Sequence, residues 1–117
     1  MQNHILKDKK NKLIEGPLVI NPELFYDERG YFFETWNAKS FNNLVKSSIN
    51  FVQDNQSFSR KNTLRGLHFQ LNPMAQGKLV RVTQGEIFDV IVDLRQSSKT
   101  FLSWAGVLLS SEIKNQI

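Results

Sequence analysis

The residues best equipped for chemistry lie in Leu64-Arg65-Gly66-Leu67-His68-Phe69-Gln70 and in Gln76-Gly77-Lys78. One imidazole, two cations and two side-chain amides fall within these two segments. Histidine is the residue type that exchanges protons near neutrality, so His68 could draw a proton from a carbon acid. Arg65 could hold phosphate oxygens in a forked arrangement. In a regular strand Arg65 and His68, three positions apart, face opposite sides, so joint action needs a bend between them, and Gly66 is placed to give one. A surface arginine beside a hydrogen-bonded structural histidine is the plainer alternative. Metal chemistry is poorly served: the only histidines are His4 and His68, which excludes a three-histidine site within the chain, although a histidine with carboxylates stays open. The six glycines are scattered and no G-x-x-x-x-G-K loop occurs, so nucleoside-triphosphate chemistry has no support.

Such groups act together only if backbone elements aim them at one place. Leu13 to Ile20 reads as an edge strand broken by Gly16-Pro17. Asp27-Glu28-Arg29-Gly30 is a turn leading into a strand from Tyr31 to Trp36, with Phe32, Glu34 and Trp36 on one face. Asn37 can cap a short helix over Ala38 to Lys46 that gathers Phe41, Leu44 and Val45 on one side. Further strands are expected over 51–58, 63–70, 79–83, 86–94 and 101–109. Thr83-Gln84-Gly85-Glu86 would close a hairpin, and Val80, Val82, Phe88, Val90, Val92 and Leu94 share one parity. Gln53, Asp54, Asn55, Gln56 and Ser57 put polar groups on both faces of their segment, which fits a ligand cavity or a solvated edge. Many short strands with one helix point to a sandwich or jelly roll; a parallel α/β fold lacks its helices.

The chain has 117 residues, 40% hydrophobic and 22% charged, enough for one domain with one core. Nine Phe and two Trp favour a sheet-rich core filled by aromatic rings. The net charge of +4 suits a diphosphate, a nucleic acid or an acidic surface without choosing among them. Lys7, Lys9, Lys10 and Lys12, interrupted by Asp8, are read as a solvated edge in preference to a nucleic-acid patch. There is no cysteine, hence no disulfide framework or thiolate metal site. The first residues, Met1 to Leu6, lack an apolar stretch of signal-peptide length, and nothing later approaches a membrane span, so a cytoplasmic protein is expected.

In order along the chain, Asp27-Glu28-Arg29-Gly30-Tyr31-Phe32-Phe33-Glu34, Gln53-Asp54-Asn55-Gln56-Ser57, Arg65-Gly66-Leu67-His68-Phe69-Gln70, Gln76-Gly77-Lys78 and Gly85-Glu86-Ile87-Phe88-Asp89-Val90 resemble the signature of the dTDP-4-dehydrorhamnose 3,5-epimerase family. The resemblance covers about Leu18 to Leu109. It implies an all-β, cupin-type jelly roll with one short helix and no metal or other cofactor. The assembly it implies is a homodimer in which an N-terminal strand reaches into the partner's sheet. It also implies that His68 removes the protons at C3 and C5 of a 4-keto sugar carried on dTDP, and that Lys78 stabilises the enolate oxygen. Arg29, from the neighbouring subunit, and Arg65 would hold the diphosphate, while Glu34, Gln53 and Asn55 would bind elsewhere on the sugar nucleotide. Both carbons flank the C4 carbonyl, so one base can serve each in turn if a cation carries the charge formed there.

By the same resemblance, the family's proton-donor tyrosine, a second histidine and the aspartate that orients the base lie downstream of Ile117. Residues 1–117 are therefore expected to be a single, incomplete jelly-roll domain, with exposed sheet edges and weak epimerising ability. Two other readings stand beside the epimerase: a non-catalytic sugar-nucleotide-binding or assembly module, and a related 3-epimerase or 3,4-ketoisomerase.

Overall fold

Antiparallel pairing organises the computed structural model, which describes residues 2–117; Met1 lies outside them. Strand β1 (Gln2–Lys7) pairs with β2 (Leu13–Asn21), with His4 opposite Val19 and Ile5 opposite Leu18. The register slips between Ile5 and Lys7, because Lys7 comes opposite Leu13. Gly16, at φ +115°, sits in that irregularity, so the expected break at Gly16-Pro17 is a bulge inside one continuous strand. The connecting turn is closed by Asp8, whose Oδ1 accepts from the backbone N–H of Lys10 at 2.8 Å and of Lys12 at 2.9 Å. Lys9 is exposed with the rest of the run, and its Nζ stands 4.5 Å from the centroid of Trp104.

Strands β3 (Phe25–Asp27) and β4 (Gly30–Phe32) form a tight hairpin with Asp27 opposite Gly30, the latter at φ +138°. The strand expected over Tyr31 to Trp36 ends at Phe32 because its partner offers only three residues, the last opposite Phe32 being Phe25. Helix α1 (Ala38–Val45) follows as expected. The side chain of Asn37 accepts from Ser40 N–H at 3.0 Å, and Lys46 ends the helix in a left-handed conformation at φ 53°. Strands β5 (Glu86–Val92) and β6 (Trp104–Ser110) pair antiparallel without a slip, from Glu86 opposite Ser110 to Val92 opposite Trp104.

Three expected strands are absent. Residues 51–58 and 63–70 take neither strand nor helix, and within 79–83 only Arg81 makes an isolated bridge, to Gln116. The hairpin expected around Gly85 is likewise replaced, since β5 pairs with β6 and Gly85 C=O accepts from Ser111 N–H at 2.9 Å. A strand needs a neighbouring backbone for its N–H and C=O groups, and among the described residues no ladder forms along 51–58 or 63–70. No helix among the described residues is long and apolar enough to cross a membrane.

The chain divides into two compact units, Met1–Glu34 with Lys78–Ile117, and Thr35–Gly77. In the first, Leu6, Ile14, Val19 and Ala105 form the core, with Ile91, Val107 and Ile117 packed against it. Ile91 lies opposite Ala105, so the core takes the odd-numbered side of β5, and the apolar parity of Phe88, Val90 and Val92 forms the other face. In the second unit Trp36, Phe41 and Phe51 make a small aromatic cluster with centroids 4.9 to 5.6 Å apart.

A buried carboxylate ties the first unit together. Asp93 accepts from Arg95 Nε at 2.8 Å and Nη2 at 2.9 Å, from Ser98 Oγ at 2.6 Å and from Thr100 Oγ1 at 2.7 Å. Arg95 Nη2 also donates to the Glu15 carbonyl of β2 at 2.7 Å, linking the two ladders. The Arg95 guanidinium, then the Ser98 hydroxyl, hold the Asp93 carboxyl far below the usual carboxylate range. Asp93→Asn is expected to cost about 2 kcal/mol at pH 7, read from urea unfolding. A depressed carboxylate stabilises fully above its unfolded value of about 4 and loses that contribution as pH falls below it, so the gap between wild type and variant should shrink from pH 7 to pH 3. A gap that stays constant over that span would contradict the assignment.

Candidate active site

Gly66 sets the local path at His68. It sits at φ +112°, a conformation that glycine adopts and L-residues resist, so the backbone leaves a regular extended path between Arg65 and His68. A Cβ placed at Gly66 would lie 3.7 Å from Nδ1 of His68, so the imidazole packs directly on this glycine. Arg65 is held from the other direction. Its Nε donates to Ser59 Oγ at 2.9 Å and its Nη2 to the Phe58 carbonyl at 3.2 Å, which anchors the guanidinium over the turn from 58 to 65. Gln53 Nε2 donates to Asn55 Oδ1 at 3.0 Å, so this candidate pair is in direct contact, as residues two apart on an extended segment can be.

In the first unit Arg29 doubles back onto Asp27. Its backbone N–H and its Nε reach the carboxylate at 2.9 and 3.1 Å, and the guanidinium, followed by the backbone amide, holds the Asp27 carboxyl below its ordinary range. Glu34 is exposed at the end of this unit's first segment. Lys78, also exposed, acts electrostatically on Asp89 of β5. Burial pushes the half-buried Asp89 carboxyl up, while the Val90 amide and the Lys78 ammonium partly counter it. Asp89 is the residue that sequence reasoning passed over. Its signal was a carboxylate on the core-side parity within the apolar run Ile87 to Val92 of β5.

The structure thus joins Gln53 with Asn55 and Arg29 with Asp27, while Lys78 acts on Asp89 only through its charge. His68, Arg65, Gln53 and Asn55 belong to one compact unit, and Arg29, Glu34 and Lys78 to the other. All seven candidates are exposed. A shallow groove between β2 and the end of β5, lined by Ile14 to Pro17 and Ile91 to Arg95, contains none of them. Among the described residues, no three His, Cys, Asp or Glu side chains gather as a metal site would require.

Residues 11–117 match the family model described as dTDP-4-dehydrorhamnose 3,5-epimerase. The chain belongs to this family. The epimerase of Salmonella typhimurium is 55% identical over 104 residues, covering 89% of this chain and 57% of its own length. That of Methanothermobacter thermautotrophicus is 52% identical over 105 residues, covering 88% and 55%. The chain therefore spans a little over half the length of these curated relatives. Among solved structures, the Bacillus anthracis epimerase with TDP and PPi bound superposes with a TM-score of 0.84 at 43% identity, covering 98% of this chain and 63% of that one. The Legionella pneumophila enzyme in complex with dTDP-4-keto-L-rhamnose gives 0.85 at 45% identity, covering 98% and 58%. The all-β elements with one short helix accordingly belong to the family's cupin-type jelly roll, as expected from the sequence.

Two substitutions test the local geometry in this epimerase-family chain. Gly66→Ala is expected to destabilise by about 1–2 kcal/mol and to shift the imidazole resonances of His68, whereas Gly77→Ala, with open space around it, should leave them unchanged. Lys78→Ala should raise the Asp89 titration further, followed by carboxyl NMR, because it removes the neighbouring cation. An Asp89 titration that does not move would place the ammonium elsewhere.

Proposed function

We propose that the intact protein is a dTDP-4-dehydrorhamnose 3,5-epimerase acting in the cytoplasm, without a cofactor, on dTDP-4-dehydro-6-deoxyglucose. The observation that carries this reading is the family match over residues 11–117, which includes all seven candidate residues. In this reading residues 1–117 form one jelly-roll domain that pairs with a second subunit through its N-terminal strand. The β1–β2 ladder described above is the element available for that exchange.

The chemistry follows from acidity next to a carbonyl. His68 takes the proton from C3, and then from C5, and the electron pair left behind moves onto the C4 oxygen. Lys78 stabilises that enolate oxygen by its charge, which is effective to the extent that water is kept away. Arg65 and Arg29 hold the diphosphate, with Arg29 supplied by the other subunit, and Glu34, Gln53 and Asn55 contact the rest of the nucleotide sugar. Inversion is complete only when a donor on the opposite ring face returns the proton.

Proton abstraction and inversion can be read separately. The chain is incubated in D2O with the 4-keto sugar nucleotide, deuterium at C3 and C5 is followed by NMR, and dTDP binding is measured by calorimetry. Exchange is expected, lowered about 10²–10⁴-fold in His68→Asn and about 10²-fold or more in Lys78→Ala. Arg65→Ala is expected to weaken dTDP binding about tenfold or more. Exchange with little epimer would mark a base working without its donor. Failure both to exchange and to bind dTDP would overturn the reading.

A further inference from the structure

We infer that Ser59 is a positioning residue for phosphate binding: its hydroxyl holds the Arg65 guanidinium by one edge and so presents the other edge to the diphosphate of the sugar nucleotide. The backbone supplies the approach. After Ser59 the chain reverses through a turn in which Thr63 N–H donates to the Arg60 carbonyl at 3.2 Å and Asn62 takes a left-handed φ of 67°. The reversal returns Arg65 to residues 58 and 59, where its Nε donates to Ser59 Oγ at 2.9 Å and its Nη2 to the Phe58 carbonyl at 3.2 Å.

A guanidinium is planar, and its five N–H groups form two forks, Nε with Nη2 on one edge and Nη1 with Nη2 on the other. The turn occupies the first fork. The second is the edge left to pair with two oxygens of a phosphate. The nature of the partners matters as much as the geometry. Arg29 and Arg95 commit the same first fork to the carboxylates of Asp27 and Asp93, which offset their charge. A hydroxyl and a carbonyl carry no net charge, and among the described residues no carboxylate forms an ion pair with Arg65. Arg65 is therefore fixed in direction while its positive charge stays intact. An arginine that swings free loses its side-chain freedom when the nucleotide binds, and the Ser59 bond removes part of that loss in advance. Both side chains are exposed, so water competes for the bond and the gain is modest.

This inference rests on the reading of Arg65 as a diphosphate ligand, and the experiment separates the two. dTDP binding to the chain is measured by calorimetry. Ser59→Ala leaves every charge in place and is expected to weaken binding about threefold to tenfold. Ser59→Thr, which keeps the accepting oxygen, should restore affinity to within about twofold of the parent. In the Arg65→Ala background Ser59→Ala should have no further effect. The Arg65 Nε–H resonance reads the bond directly, and it should move in Ser59→Ala and hold its place in Ser59→Thr. If Ser59→Ala lowers stability in urea and leaves dTDP affinity unchanged while Arg65→Ala weakens it, Ser59 merely staples the turn; this inference falls and the role of Arg65 stands. An equal loss in both backgrounds overturns it too, because Ser59 then acts without Arg65. If dTDP does not bind the chain, or binds Arg65→Ala as tightly as the parent, both readings fall.

Discussion

The Asp93 carboxylate holds the described β core together. It lies where β5 has just ended, in surroundings that would normally repel a charge, and five donor atoms from Arg95, Ser98 and Thr100 converge on it. Those bonds fold the connection from β5 to β6 back on itself, so that Ser103 C=O accepts from Asp93 N–H and the hairpin register can start at Val92 and Trp104. Arg95 continues outward to the Glu15 carbonyl, where the bulge in β2 leaves that oxygen available. One ion pair thereby fixes how β5 and β6 meet β1 and β2, and the apolar residues Leu6, Ile14, Val19 and Ala105 close around that geometry. The position of Asp89, and with it the electrostatic field that Lys78 meets, follows from the same register.

Sequence reading succeeded where the structure is local. The helix at 38–45 was legible because its cap, Asn37, its apolar spacing and its termination are all written within ten residues. Gly66 was legible as the residue able to leave extended backbone between Arg65 and His68, and its φ of +112° does so. Strands are different, because the partner is remote in sequence. Residues 51–58 and 63–70 were read as strands and still form no ladder, while the polar Gln2-Asn3-His4 segment forms β1 because β2 lies beside it. Parity was also only half informative. The apolar side of β5 read from Phe88, Val90 and Val92 is genuine, but the core occupies the other side, where Ile91 lies and where the chain then buries Asp93. A buried aspartate gives no advance notice in a hydrophobic pattern, and neither does the half-buried Asp89.

Family membership supplies what local reading could not, because it rests on the order and spacing of several blocks, none of them decisive alone. Membership does not by itself give Lys78 catalytic strength. Two unit charges 4 Å apart interact by about 1 kcal/mol in bulk water and by about 4 kcal/mol at an effective dielectric constant of 20. An exposed ammonium therefore contributes little to an enolate, and an exposed imidazole competes with water for every proton. The chemistry assigned to these residues depends on enclosure.

The same segment shows where enclosure must come from. Between the Trp36–Phe41–Phe51 cluster and Lys78, the chain presents Val52 at 88%, Phe58 at 81% and Leu64 at 94% exposure, interleaved with Gln53, Asn55, Arg65 and His68. Leaving large apolar side chains this open forgoes about 1.5–3 kcal/mol for each one that could be buried, and leaves the intervening backbone without ladder partners. Strands laid beside 51–58 and 63–70 would bury the apolar side chains, pair the backbone and exclude water from the imidazole in a single step. Stability and catalysis at this site therefore impose one requirement: the polar residues can act on a substrate only when the apolar residues between them are covered.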